Sequence, residues 1–174
     1  MDYDGNILWD KSYGEKLSYD WCLIVENTFD NNYIITGATN GGFLGLGIWG
    51  TDIWIMKVDN LGSIIWQKHK GLPYFKDYSM SIKSTRDGGY VYTGHIFGLG
   101  LMGDPAFGSW SKPILVKTDS EGNILWQKIL QDNGHSMTIR ETDDGFILCG
   151  FQKGDKGLSS DYGWVLKTDK NGEI

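Results

Sequence analysis

Residues Lys117-Thr118-Asp119-Ser120-Glu121-Gly122-Asn123-Ile124-Leu125-Trp126-Gln127-Lys128 read as the end of one β-strand, a tight turn and the start of another. Asp at the first and Gly at the fourth position of Asp-x-x-Gly fit a type I turn closed by a left-handed residue, the usual chemistry of a short hairpin. The same signature returns at Asp2-Tyr3-Asp4-Gly5, Asp59-Asn60-Leu61-Gly62 and Asp169-Lys170-Asn171-Gly172, with glycines 57, 60 and 50 residues apart. Working outward, Ile-Leu-Trp or Ile-Ile-Trp follows three of these turns, at Ile7 to Trp9, Ile64 to Trp66 and Ile124 to Trp126.

Each repeat divides into four β-like runs. After a loop come Leu23 to Thr28, Met80 to Thr85 and Met137 to Thr142, the last two alternating apolar and polar residues at period 2 as half-buried strands do. A third run is Tyr33 to Gly37, Tyr90 to Gly94 or Phe146 to Gly150, and a fourth is Trp54 to Lys57, Ile114 to Lys117 or Trp164 to Lys167. β-Branched and aromatic residues dominate all of them. Asp87-Gly88-Gly89, Asp30-Asn31-Asn32 and the shorter Asp143-Asp144-Gly145 mark a second hairpin, with residue types that tolerate positive φ. A period near 50 with loops of varying length belongs to the blades of a β-propeller, not to helical solenoids. The expected fold is all-β, a propeller module of about three four-stranded blades over residues 1–174, with repeats near 22–69, 79–128 and 6–11 plus 136–168.

Composition narrows the function classes. Of 174 residues, 16 are Lys or Arg and 22 Asp or Glu, and the net charge of -6 argues against a nucleic-acid clamp. No apolar run approaches the ~18 residues of a membrane helix, and Met1-Asp2-Tyr3-Asp4 is acidic where a signal peptide is basic and then apolar, so neither membrane insertion nor an export signal is expected. Cys22 and Cys149 suit neither a disulfide scaffold nor a CxxC site. They occupy the small-residue slots held by Ser79, Ser136, Thr36 and Thr93, and are expected to be buried and inert.

The run Thr85 to Gly94 (Thr-x-Asp-Gly-Gly-Tyr, a short apolar stretch, then Gly) and the stretch Lys117 to Lys128 resemble the repeat of secreted bacterial and archaeal β-propellers. More distantly they resemble the tryptophan-docking repeat of quinoprotein-like (PQQ-type) propellers. The resemblance implies that the strands starting at Cys22, Ser79 and Ser136 lie nearest the axis and that the Ile-Leu-Trp strand is outermost. Residues 6–11 are then an outermost strand without its own blade, and 136–168 a blade without its outermost strand. Three blades are too few for a ring of the usual four or more. The chain is expected to be part of a larger propeller or to pair head to tail as a homodimer into a six-bladed ring. An extracellular or cell-envelope location is implied by the resemblance alone. Quinone binding is not expected, because the adjacent Cys-Cys pair and calcium-binding acids of quinoprotein dehydrogenases have no counterpart in the sequence.

Few residues point to chemistry. Gly98-Leu99-Gly100-Leu101-Met102-Gly103 matches G-x-G-x-x-G but is followed by Asp104-Pro105 where a dinucleotide site needs a helix. His69, His95 and His135 show no metal-ligand spacing. Asp20 and Asp77 align just before the axial strand, where Gly134 replaces them, and with His135 they are the axial polar candidates, for a cation such as calcium or for fixing the entering loop. Loop aromatics Trp49, Tyr74, Phe97, Phe107 and Trp110 are the ligand-binding candidates, suited to stacking on a sugar or a protein. The expected function is a non-catalytic scaffold or binding module for a protein or polysaccharide, without a cofactor. The alternative is a glycoside hydrolase using carboxylates near the axis.

Overall fold

The computed structural model describes residues 3–14, 16, 18–40, 50–71, 75–98, 110–130, 134–154 and 161–174. The described residues form eleven strands: β1 (Asp20–Asn27), β2 (Tyr33–Thr39), β3 (Asp52–Val58), β4 (Ile64–Lys70), β5 (Phe75–Ser84), β6 (Tyr90–Gly98), β7 (Trp110–Thr118), β8 (Ile124–Ile129), β9 (Gly134–Glu141), β10 (Gly145–Lys153) and β11 (Asp161–Asp169). They form three antiparallel meanders, β1-β2-β3-β4, β5-β6-β7-β8 and β9-β10-β11, none closed on itself. The protein is all-β, and among the described residues no helix is long and apolar enough to cross a membrane.

The turn chemistry is that of the Asp-x-x-Gly reading. Asp59 accepts the N–H groups of Leu61 and Ser63 on one carboxylate oxygen, Asp119 those of Glu121 and Asn123, and Asp169 those of Asn171 and Glu173. Gly62, Gly122 and Gly172 supply the left-handed residue at φ 76°, 78° and 78°. At the second hairpin Asn31 and Gly88 have positive φ, whereas the shorter Asp143-Asp144-Gly145 turn has no such residue. Gly145 is needed there for space, since a Cβ would lie 1.9 Å from the Thr168 carbonyl oxygen.

A second device repeats beside it. Thr28, Thr85 and Thr142 donate their hydroxyls to Asp30, Asp87 and Asp144, which pair with Lys57, Lys117 and Lys167 of the third strand at 2.7, 2.8 and 2.6 Å. The ion pair ties the tight turn to the next strand of its own sheet.

Sheets pack face to face in chain order. Ile34, Ile53 and Ile55 of the first meet Ile82, Tyr92, Ile114 and Val116 of the second. Val91 and Leu115 on the opposite face of the second meet Ile139, Phe146 and Leu148 of the third. Alternation along each strand thus serves two interfaces at once, which is why β6 and β7 read as continuous apolar runs. Each first strand carries a bulge, between Cys22 and Ile24, Ser79 and Ser81, and Ser136 and Thr138.

One tryptophan per repeat fastens a sheet to the next. Trp66 of β4 lies over Gly122 and edge-on to Tyr90, and Trp126 of β8 lies over Gly172 and edge-on to Phe146, with ring centroids 5.9 Å apart in both cases. Trp9 does the same to the first sheet, over Gly62 and 6.4 Å from Tyr33, and donates its indole N–H to Asn60. Residues 6–11, expected as a strand, form no ladder: Trp9 is docked, but among the described residues no strand pairs with their backbone.

Candidate functional site

The candidate site builds from the ends of the strands where β1, β5 and β9 begin. Asp20, Asp77 and Gly134 occupy equivalent places, opposite Thr39, Ile96 and Gln152 of the neighbouring strand. Asp20 is half-buried and accepts the Ser18 hydroxyl at 2.7 Å, an arrangement that fixes the entering loop. Asp77 is buried, and its own N–H donates to the Thr51 carbonyl at 2.6 Å, joining the second sheet to the first. Burial, and then the nearby Asp77, push the Tyr92 hydroxyl above the ordinary tyrosine range. Among the described residues no group of three or more His, Cys, Asp or Glu stands close enough to hold a metal ion.

One step along come Trp21, Tyr78 and His135, directly across from Ala38, His95 and Phe151. Their rings run together across the second and third sheets: Tyr78 is 5.3 Å from His95, His95 is 4.2 Å from His135 at 68°, and His135 stacks on Phe151 at 4.6 Å and 20°. Tyr19, Trp21 and Tyr162 stand exposed nearby in the chain, beside Asp20 at the start of β1 and at the start of β11. Phe97, half-buried near the end of β6 opposite Lys76 and Ser111, belongs to the same end. Trp49, Tyr74 and Phe107, and the side chain of Trp110, lie outside the described residues.

His95 and Phe151 are the members that motif reading missed. His95 carries no ligand spacing and Phe151 lies beyond the recognisable repeat. The signal was in the alignment itself, because the positions across from Trp21, Tyr78 and His135 follow from the shared hairpin register.

The imidazoles carry the main electrostatic consequence. Burial, then the neighbouring His135, push His95 down to about 4, and its Nδ1 is a buried atom without a hydrogen-bond partner. His95 is therefore neutral at neutral pH. Its folded value lies below its ordinary 6.5, so the unfolded chain binds the proton more readily, and stability should fall as pH drops from about 6.5 towards 4. The loss is about 3 kcal/mol at most. A second decline should follow between about 4 and 2: hydrogen bonds from Lys57 and Thr28 hold Asp30 down to about 2, and those from Lys117 and Thr85 outweigh burial to hold Asp87 there too. Urea midpoints against pH test this, and His95→Leu should flatten the upper window while leaving the lower one.

Cys22 corrects an expectation. It is exposed, and Cys149 is half-buried, although their counterparts Ser79, Ser136, Thr36 and Thr93 are buried. The slots are indeed small, as Gly37 across from Cys22 leaves no room for a Cβ. Among the described residues no sheet covers that face of β1, and residue size does not decide what covers it. Against known protein families and curated proteins, the chain finds no match.

Proposed function

We propose that the three sheets are consecutive blades of a β-propeller whose ring-lined end binds a polysaccharide without cleaving it. The observation that carries this reading is the row Tyr78, His95, His135 and Phe151, with the exposed Trp21 at the position of the first sheet equivalent to Tyr78 and His135. Flat rings held by opposite strands are rigid before the ligand arrives, so little ordering entropy opposes binding. Sugars offer C–H faces to such rings and hydroxyls to groups such as Asp20 at the same end of the strands. The propeller reading draws support from the repeated tryptophan docking, which sets each sheet on the next through the same ring and the same glycine. A hydrolase would need two carboxylates on either side of a bound bond. Of the aligned acids, Asp77 is buried and the third position is Gly134.

The test is titration of the protein with a panel of soluble neutral and acidic polysaccharides, followed by intrinsic fluorescence. Trp21→Ala should weaken binding about tenfold, consistent with a stacking contribution on the order of 1 kcal/mol, with unchanged melting. Binding to no polysaccharide, with capture of a defined protein by the same face, would replace the sugar by a protein partner. Release of reducing ends would install the hydrolase.

A further inference from the structure

Both ends of the sheet stack carry exposed apolar side chains: on the first sheet these lie on β1, since Ile35, Trp54, Met56 and Val58 of the same face are buried beside Tyr13 and Tyr33, and on the third sheet they lie on β10 and β11. On the first sheet Val25 is 61% exposed, whereas Ile82 and Ile139, its counterparts in the other sheets, are at 0% against the sheet before them. On the third sheet Val165 is 70% exposed, while its counterparts Ile55 and Leu115 are buried against the sheet that follows. Ile147 repeats the contrast with Ile34 and Val91. β1 at one end and β10 and β11 at the other therefore show apolar positions that the internal junctions bury.

Charge and polar groups at the ends match as well. Glu26, Lys83 and Arg140 are equivalent residues of successive first strands. Glu26 pairs with Lys83 across the first junction, while at the second Lys83 and Arg140 repel. A junction of the third sheet with another first sheet sets Arg140 against Glu26. The indole N–H of Trp164 is buried without a partner, although its counterpart Trp54 donates to Gln67 of the fourth strand at 3.1 Å. By the turn alignment the residue equivalent to Gln67 in 6–11 is Asp10, an acceptor.

The cysteines complete the match. At the second junction the Thr93 hydroxyl, which donates to the Ile114 carbonyl, accepts from the Ser136 hydroxyl at 2.7 Å. The counterpart of Thr93 on the free face of the third sheet is Cys149, and that of Ser136 on the free face of the first is Cys22. Both thiols stand on uncovered end faces, at the two positions whose counterparts touch.

We propose that two copies of this chain close head to tail, the third sheet of each covered by the first sheet of the other, with residues 6–11 pairing along the partner's β11 and Cys22 facing the partner's Cys149. The arrangement rests on reading the sheets as consecutive blades. In register with β4 and β8, Trp9 pairs with Lys167 and Ile7 with Thr168, as Trp66 and Ile64 do with Lys57 and Val58. Trp9 needs no rearrangement, being already docked on its own first sheet. The junction is heterologous, and two of them close the pair under one two-fold axis.

The experiment uses the whole chain and oxidised glutathione. The Cys22 thiolate attacks one glutathione sulfur and expels a glutathione thiolate. The partner's Cys149 thiolate then attacks the Cys22 sulfur of the mixed disulfide and expels the second, so one protein disulfide forms for each two glutathiones released. Light scattering should give a discrete species of twice 19.6 kDa, and non-reducing electrophoresis a covalent dimer. Cys22→Ser and Cys149→Ser should each abolish the covalent band while keeping the dimer mass, and mixing the two variants should restore it. Val165→Asp should give monomer. A cross-link that survives in Cys149→Ser, a monomer at every concentration, or an open series of larger species overturns the proposal. A monomer that still binds polysaccharide would sink the pairing and spare the binding site, whereas a dimer that binds none would do the reverse.

Discussion

Trp66→Ala should lower unfolding free energy by about 3 kcal/mol, the low end of the range for truncating a buried aromatic. The ring does two jobs in the junction between the first and second sheets. It packs on the cluster of Ile55, Ile82, Tyr90 and Tyr92, and it fills the space above Gly122 so closely that a Cβ on that glycine would sit 2.8 Å from it. Its indole N–H has no partner although buried, so truncation also removes an unsatisfied donor, which offsets about 1 kcal/mol of the loss. Trp66→Phe should cost about 1 kcal/mol, since a phenyl ring retains the edge contact with Tyr90 and loses only part of the cover over Gly122. Trp9→Ala should also cost about 1 kcal/mol, because that ring is partly exposed and holds a segment outside any sheet. Urea unfolding at constant m-value gives all three. Equal losses for Trp66 and Trp9 would show that the ring contributes by local turn packing and not by joining sheets.

The strands were legible because two independent signals agree at each: period-2 alternation inside the run, and Asp, Asn or Gly where the chain must reverse. Asp119 and Gly122 announce their turn whatever surrounds them, since carboxylate-to-amide bonds and a left-handed φ are local. Bulges were not legible. Leu23, Met80 and Met137 look like ordinary members of an alternating run, and the extra residue shows only once the partner strand fixes the register. Cys22 shows the same limit in another form. Its slot was read correctly from Ser79 and Ser136, but exposure depends on what covers β1, which no property of the residue encodes. The candidate site was half legible: His135 was singled out for its position, while His95 and Phe151 joined it only through cross-strand pairing. Residues 6–11 carry a strand sequence without forming a strand, because a ladder needs an edge as well as a propensity.

Gly94→Ala should cost about 3 to 5 kcal/mol. A Cβ there would lie 1.9 Å from the Tyr78 carbonyl oxygen and 2.8 Å from the Ser79 Cα, both backbone atoms of β5 at its bulge. No rotamer relieves a clash with backbone; β5 or β6 has to move. Neither can do so freely, because the second sheet is packed on both faces, with Ile82 and Tyr92 against the first sheet and Val91 and Leu115 against the third. Thr93, next to Gly94, is further held by its hydrogen bonds to Ile114 and Ser136. Gly150→Ala meets the same clash, 1.9 Å from the His135 carbonyl oxygen, but in the third sheet, whose outer face is uncovered. In a monomer that strand can yield towards solvent, and the loss should be about 2 kcal/mol, whereas in the head-to-tail pair the face is covered and the loss should approach that of Gly94→Ala. Gly88→Ala separates space from backbone conformation: nothing lies within 4 Å of its Cβ position, and only the positive φ of 86° opposes a side chain, a strain of about 1 kcal/mol. For the monomer, the order Gly94, Gly150, Gly88 in urea midpoint loss follows from where each sheet is free to move. If Gly150→Ala proved as costly as Gly94→Ala, the outer face of the third sheet would have to be covered in solution, the condition that the head-to-tail pair creates.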